Sequence, residues 1–256
     1  MADRLDGQAV VVFLHGIGGA ATIWWWQKAS FAEAGFEPVA LDLPGYGARE
    51  PVTALDFEGL AADVEGAIDS RGLERPVLLG HSMGGMIAQT MLRRRPDAYS
   101  AAVLACTSPA FGNPDGAFQR KFVAARLGPL DAGKTIADLA PTLVHAMMGP
   151  NPNGAGWAHA IDVMARVPAD TYRAAIRCLV TFDERANLAS IRVPVLCLAG
   201  EKDPTVPAPV MERMAARIPD ARYVCLPGVG HLPNLEAPAA FDVAVLGFLQ
   251  QGQSRP

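Results

Sequence analysis

The chain has 256 residues, 50% of them hydrophobic and 19% charged, with 22 Lys and Arg against 26 Asp and Glu for a net charge of −4. That length suits one large domain, or a core domain carrying an insertion, and the hydrophobic content excludes a disordered chain. The mild acidity argues against a surface that tracks nucleic-acid phosphates.

The one basic run, Arg93-Arg94-Arg95, closes a helical stretch, where cations meet the negative end of the helix dipole. No apolar run reaches the roughly 20 residues that span a bilayer, so no membrane association is expected. Residues 1–7 lack a signal-peptide layout, and the expectation is a cytoplasmic protein. Cys106, Cys178, Cys197 and Cys225 stand far apart, without CxxC or zinc spacing. They read as reduced, mostly buried thiols rather than metal ligands.

In chain order, short apolar runs alternate with helical patterns. Strands are predicted over residues 10–15, 38–43, 76–80, 101–106, 194–199 and 221–226. Val10-Val11-Val12-Phe13-Leu14 is apolar without a break, as expected of a strand buried on both faces. Helical periodicity fills 57–70 and 84–95. Such alternation gives an α/β fold, a parallel sheet of about six strands with helices on both faces, and function collects at the carboxyl ends of its strands.

One interval breaks the rhythm. Between Cys106 and Pro194 no strand is predicted, while helical spacing recurs at Phe118/Phe122, Ile136/Leu139/Leu143/Met147, Trp157/Ile161/Met164 and Tyr172/Ile176/Leu179. Residues 109–188 are therefore expected to form an inserted helical cap, and residues 1–108 with 189–256 the core domain. Phe122, Met147, Met148, Trp157 and Met164 suggest an apolar pocket lining suited to uncharged or partly apolar substrates of modest size. Of Trp24-Trp25-Trp26, at most one or two can face a pocket, since consecutive helical residues point in different directions.

The strongest chemical signal is Gly80-His81-Ser82-Met83-Gly84, a G-x-S-x-G between a predicted strand and a predicted helix. A serine hydroxyl needs a histidine base and a carboxylate to orient that base. Of the five histidines, His231 lies just past the last strand, on the sheet edge that carries Ser82. Asp203 follows the strand before it, with Glu201 as a rival acid. The order Ser82, Asp203, His231 matches one triad arrangement. His15-Gly16-Ile17-Gly18-Gly19 follows the first strand, and the backbone N–H groups of Ile17 and Met83 are the expected oxyanion donors. His15 is expected to brace that turn.

These segments resemble the α/β-hydrolase superfamily. The resemblance rests on Phe13-Leu14-His15-Gly16, Leu41-Asp42-Leu43-Pro44-Gly45-Tyr46-Gly47, Leu79-Gly80-His81-Ser82-Met83-Gly84-Gly85, residues 195–203 and residues 230–238. It leaves only the cap uncovered. Residues 182–207 and the Gly230-His231 segment are similar to carboxylesterases and 3-oxoadipate enol-lactonases. The resemblance implies a serine-nucleophile hydrolase acting on a small-molecule ester or lactone without a cofactor. It disfavours haloalkane dehalogenases and epoxide hydrolases, which place Asp where Ser82 stands. C–C hydrolases usually carry Asn at the position of His81, and perhydrolases share the Ser-Met-Gly-Gly run. Both stay as alternatives. Family members usually begin with an antiparallel hairpin, for which the nine residues before Val10 are too few. Its absence would leave residues 38–43 near an exposed edge, so a monomer or a homodimer is expected.

Two readings from other classes compete. Gly16-Ile17-Gly18-Gly19-Ala20-Ala21 with Asp42 outlines a dinucleotide-binding fingerprint and hence an oxidoreductase. A relative that keeps the fold as a non-enzymatic ligand-binding protein is the other. Both leave the Ser82, Asp203, His231 order without a purpose.

Overall fold

The computed structural model describes residues 8–112 and 115–253. Six strands form one sheet among the described residues: β1 (Val10–Leu14), β2 (Glu37–Leu41), β3 (Val77–His81), β4 (Ala102–Ala105), β5 (Val195–Gly200) and β6 (Ala221–Leu226). Their order is β2-β1-β3-β4-β5-β6, and every pairing is parallel. Each predicted strand is present within two residues of its expected ends, and β2 is an edge strand, as anticipated. The expectation of a missing N-terminal hairpin concerns residues 1–7, which lie outside the described residues.

Among the described residues ten α-helices accompany the strands: α1 (Trp25–Glu33), α2 (Phe57–Ser70), α3 (Met83–Arg94), α4 (Ala117–Asp131), α5 (Ile136–His145), α6 (Gly154–Ala165), α7 (Ala169–Leu179), α8 (Ala208–Ala215), α9 (Pro233–Glu236) and α10 (Pro238–Gln253). None is long and apolar enough to cross a membrane.

The strand order dictates where the helices lie. The step from β1 to β2 runs one way across the sheet, and every later step runs the other way. Right-handed crossovers therefore put α1 on one face and α2, α3 and α8 on the other. Accordingly α1 packs on α10, while α2 packs on α3 and α8 covers β5 and β6. The reversal between β1 and β3 opens a crevice at their carboxyl ends, the place where open α/β sheets bind ligands.

The central strands β1, β3, β4 and β5 are almost wholly buried, which is why their sequences run apolar without alternation. Edge strands β2 and β6 are half-buried. Trp24 packs in the core, its ring 5.2 Å from Phe13 and 6.2 Å from Phe241, whereas Trp25 is exposed and stacks on Trp26.

The arginine run does more than meet a dipole. Arg93 pairs with Glu184, Arg94 with Glu65 and Glu58, and Arg95 with Asp69. These side chains fasten the end of α3 to acids spaced along α2 and to Glu184 in the segment before β5, so the electrostatics are specific ion pairs.

Between β4 and β5 the chain leaves and returns through a paired base. Ala110 bridges Asp183, and the Phe111 and Gly112 amides donate to the Phe182 carbonyl at 3.0 and 2.9 Å. Helices α4 to α7 lie between these points, with the apolar residues expected to carry their periodicity.

Helix α3 crosses the sheet very closely, and glycine permits it. A Cβ at Gly84 would lie 2.3 Å from the Leu14 carbonyl oxygen, and one at Gly80 would lie 2.4 Å from the Gly84 oxygen. Both neighbours are backbone and cannot swing aside. Gly84→Ala is expected to cost about 1–3 kcal/mol through this overpacking and to lower the thermal midpoint by several degrees, as differential scanning calorimetry would read. An unchanged midpoint would mean that α3 does not sit this close to β1.

Candidate active site

Sheet register brings the first pieces together. Leu14 pairs with Gly80 and His81 with Ala105, so the residues that follow, Gly16, Ser82 and Cys106, emerge side by side at the carboxyl edge. A Cβ at Gly16 would sit 3.1 Å from the Ser82 Cβ. Ser82 itself has φ 53° and ψ −117°, a conformation that a β-carbon makes costly by about 1–3 kcal/mol. That sharp turn lifts the hydroxyl out of the sheet. Four hydrogen bonds hold it: Ser82 N–H donates to the Ala105 carbonyl (2.9 Å), and the Ser82 carbonyl accepts from Gly85 N, Met86 N and Thr107 Oγ1.

The three expected side chains meet. Ser82 Oγ lies 3.0 Å from His231 Nε2, and His231 Nδ1 lies 2.7 Å from Asp203 Oδ2. The other Asp203 oxygen, Oδ1, accepts from Thr205 N at 2.7 Å and Val206 N at 2.9 Å. An ionised carboxylate accepts only, so Nδ1 of His231 carries the proton and its Nε2 lone pair faces the serine hydroxyl. Burial works to raise the Asp203 pKa, but the His231 charge and hydrogen bond together with the two amides hold it below the usual carboxylate range. Asp203 therefore stays ionised to orient the imidazole. Glu201, the rival acid, is exposed and accepts instead from Gly228 N at 2.8 Å.

The remaining histidines divide cleanly. His81 Nε2 donates to the His231 carbonyl at 2.6 Å, and burial, followed by the neighbouring His231 charge, lowers its pKa to about 3. His15 braces its turn as expected, since Nδ1 donates to the Gly16 carbonyl at 2.8 Å and Nε2 accepts from Leu43 N at 3.2 Å. Burial lowers its pKa to about 4. His145 is exposed on α5, and His159 on α6 is half-buried, its Nε2 3.0 Å from the Thr22 carbonyl oxygen.

The residues expected to supply backbone N–H donors are Ile17 and Met83. Met83 is the first residue of α3, where an amide has no intrahelical acceptor, and Ile17 lines the same cavity as Ser82. The cavity encloses about 670 Å³, its open mouth included. The inserted helices supply its far wall through Phe122, Met147, Met164 and Ile176. Two expected lining residues are elsewhere: Met148 packs into the core, and Trp157 is more than a third exposed. None of the three consecutive tryptophans reaches the cavity.

Glu236 has a part that the sequence reading missed. It is buried, and its Oε2 accepts from Gly149 N (2.7 Å) and Gly230 N (2.8 Å) while Oε1 accepts from Leu232 N (2.8 Å). One carboxylate thus grips the backbone on both sides of His231 and ties it to the inserted segment. His231 N–H adds a bond to the Met147 carbonyl at 2.8 Å. A signal was present: Glu236 is the one acid between His231 and Asp242, in a mainly apolar stretch.

Cys106 Sγ approaches the Asp203 and His231 ligand atoms, all within 4.8 Å, and this is a three-donor cluster that could in principle hold a metal. Burial and the nearby Asp203 carboxylate push the Cys106 thiol well above its ordinary range, so it keeps its proton, and His231 Nδ1 is committed to Asp203. A metal would need the thiolate and that nitrogen free. The donor set fits a hydrogen-bonded relay. The dinucleotide outline fails on similar grounds. Asp42 Oδ1 accepts from Ala21 N at 2.6 Å, and a Cβ on Gly47 would lie 2.1 Å from Oδ2. The acid that would hold a ribose is consumed by the turns on either side of it.

Comparison with known proteins identifies the family. A family model described as "Alpha/beta hydrolase family" matches residues 11–244. A Variovorax paradoxus protein provisionally named carbamate hydrolase RutD is 31% identical over 252 residues, which is 95% of this chain and 92% of that one. A thermophilic esterase from Thermogutta terrifontis superposes with a TM-score of 0.86 at 25% identity, covering 96% of this chain and 91% of its own. The enol-lactonase of Burkholderia xenovorans LB400 gives 0.85 at 24% identity, over 97% and 94%, a likeness of fold.

Glu236→Gln tests the clamp. An amide has one acceptor oxygen, so either orientation turns an NH2 group towards a backbone N–H that now has an acceptor. Leaving such a buried donor unsatisfied costs about 1–3 kcal/mol. The thermal midpoint is expected to fall by several degrees, and the low-field NMR proton of the His231–Asp203 hydrogen bond to broaden. A variant that matches the native protein in both would remove Glu236 from this role.

Proposed function

Because the chain belongs to the alpha/beta hydrolase family, we propose that it is a serine hydrolase that cleaves a carboxylic ester or a lactone through an acyl-enzyme. The observation that carries the reading is the continuous relay from Ser82 Oγ through His231 to Asp203, opening into a largely apolar cavity.

In this reading Ser82 Oγ bonds to the acyl carbon as its proton passes to His231 Nε2. The Ile17 and Met83 amides stabilise the oxyanion, each such donor being worth about 3–4 kcal/mol. The carbon–oxygen bond breaks, and the alcohol leaves with the proton from His231. Water then gives a proton to His231 and attacks the acyl carbon. Collapse releases the acid and restores the serine hydroxyl. Asp203 holds the imidazole tautomer throughout. Residues 109–188 act as the cap, shaping the acyl site and excluding bulk water. A carbamate is the second substrate class, favoured by the 31%-identical relative that bears that provisional name; the same acyl transfer would cleave it.

The test is hydrolysis of a panel of nitrophenyl esters, lactones and carbamates by the native protein and by Ser82→Ala. The variant is expected to lose at least about 10³-fold in kcat while binding persists. Retained turnover would overturn the mechanism. Activity is also expected to fall towards acid pH. His231 must be neutral to accept the serine proton. His15 and His81, with pKa values lowered to about 4 and about 3, stay neutral across that range and do not contribute. A rate that stays level well into the acid range, in a protein that remains folded, would contradict His231 as the base.

A further inference from the structure

One cation stands out in the cavity. Arg126, in α4, lines the same space as Ser82 and His231 and is the one charged arginine or lysine there; no Asp or Glu shares the lining. The side chain is half-buried, and among the described residues no carboxylate forms an ion pair with it. On the neighbouring helices Arg166 is matched to Asp162 and Arg173 to Asp131.

Resting on the serine-hydrolase reading above, we propose that Arg126 receives a carboxylate of the substrate, so that the preferred ester or lactone carries a second, free acid group. The guanidinium lies 5.3 Å from the Phe122 ring centroid and close enough to the Tyr172 hydroxyl to interact with it. A ring face takes no hydrogen bond in the guanidinium plane, and one phenol oxygen cannot occupy five N–H donors. Donors therefore remain for a ligand, in a fork that fits the two oxygens of a carboxylate. The apolar walls formed by Phe122, Met164 and Ile176 raise the value of a counter-charge, because the pair is screened less there than in water. One guanidinium balances one negative charge, which favours a carboxylate over a phosphate dianion. The proposal departs from the expectation of uncharged or partly apolar substrates drawn from the apolar cap residues.

The experiment compares hemiesters with their diesters, using monoethyl and diethyl esters of the dicarboxylic acids from malonate to suberate. With the Ser82→Ala protein, calorimetry reads binding without turnover. The best hemiester is expected to bind about tenfold or more tightly than its diester. That ratio should collapse in Ser82→Ala/Arg126→Met and be partly kept in Ser82→Ala/Arg126→Lys. With Ser82 intact, the kcat/KM ratio of hemiester to diester should shift the same way, and a ratio taken within one protein does not depend on its active fraction. The proposal is overturned if no hemiester binds more tightly than its diester, or if the preference survives Arg126→Met. Failure of the serine mechanism has a different signature, namely hydrolysis that persists in Ser82→Ala.

Discussion

The turn at Ser82 is the constraint on which the rest of the site depends. Its positive φ forces the chain to reverse between β3 and α3 within one residue, and two consequences follow. The hydroxyl stands clear of the sheet, and α3 begins directly beneath it at Met83, whose amide has no intrahelical acceptor. Such a turn is costly by itself. It is offset by the burial of α3, in which every residue from Met83 to Leu92 is buried, and by the hydrogen bonds to Ala105 and Thr107 on β4 and beyond. The close crossing at Gly80 and Gly84 belongs to the same solution, since a helix that leaves so sharply must run along the backbone of β1.

The loops that complete the site are held by buried carboxylates, each with its acceptor positions filled. Asp203 spends one oxygen on two backbone amides and the other on His231. Glu236 spends both oxygens on amides that flank His231 and on Gly149. Buried charge is expensive unless matched in this way. The matching positions the imidazole from two directions, through its ring by Asp203 and through its backbone by Glu236, His81 and Met147. Because Gly149 and Met147 belong to the inserted segment, the histidine loop and the far wall of the cavity are joined through the same few hydrogen bonds.

The inserted helices give the cavity its character. Phe122, Met147, Met164 and Ile176 make it apolar, and Arg126 gives it one positive point away from the catalytic relay. The two sides of the cavity are thereby separated in the chain: the sheet edge supplies Ser82 and His231, and the helices between β4 and β5 supply the apolar wall facing them.

The architecture was largely legible in the sequence, because unbroken apolar runs such as residues 10–14 can only be strands buried on both faces, and because their alternation with helical patterns leaves few topologies. Ser82, Asp203 and His231 were legible too, each following its own strand at the edge where a parallel sheet collects function. The sequence favoured Asp203 with Glu201 as its rival, and the fold of that turn decides which of the two is buried against His231. Sequence alone could not say that Met148 and Trp157 turn away while Arg126 turns in, because helical spacing identifies an apolar face without saying what that face covers. Glu236 was hidden for a related reason: its partners Gly149 and Gly230 are brought together only when the insertion packs on the core. What the chain by itself determined was the order of elements and the chemistry at their ends, which follow from local periodicity and turn residues. Which side chains meet across those ends was decided by tertiary packing, because contacts between residues 80 to 150 positions apart are set by sheet register and helix crossing rather than by local spacing.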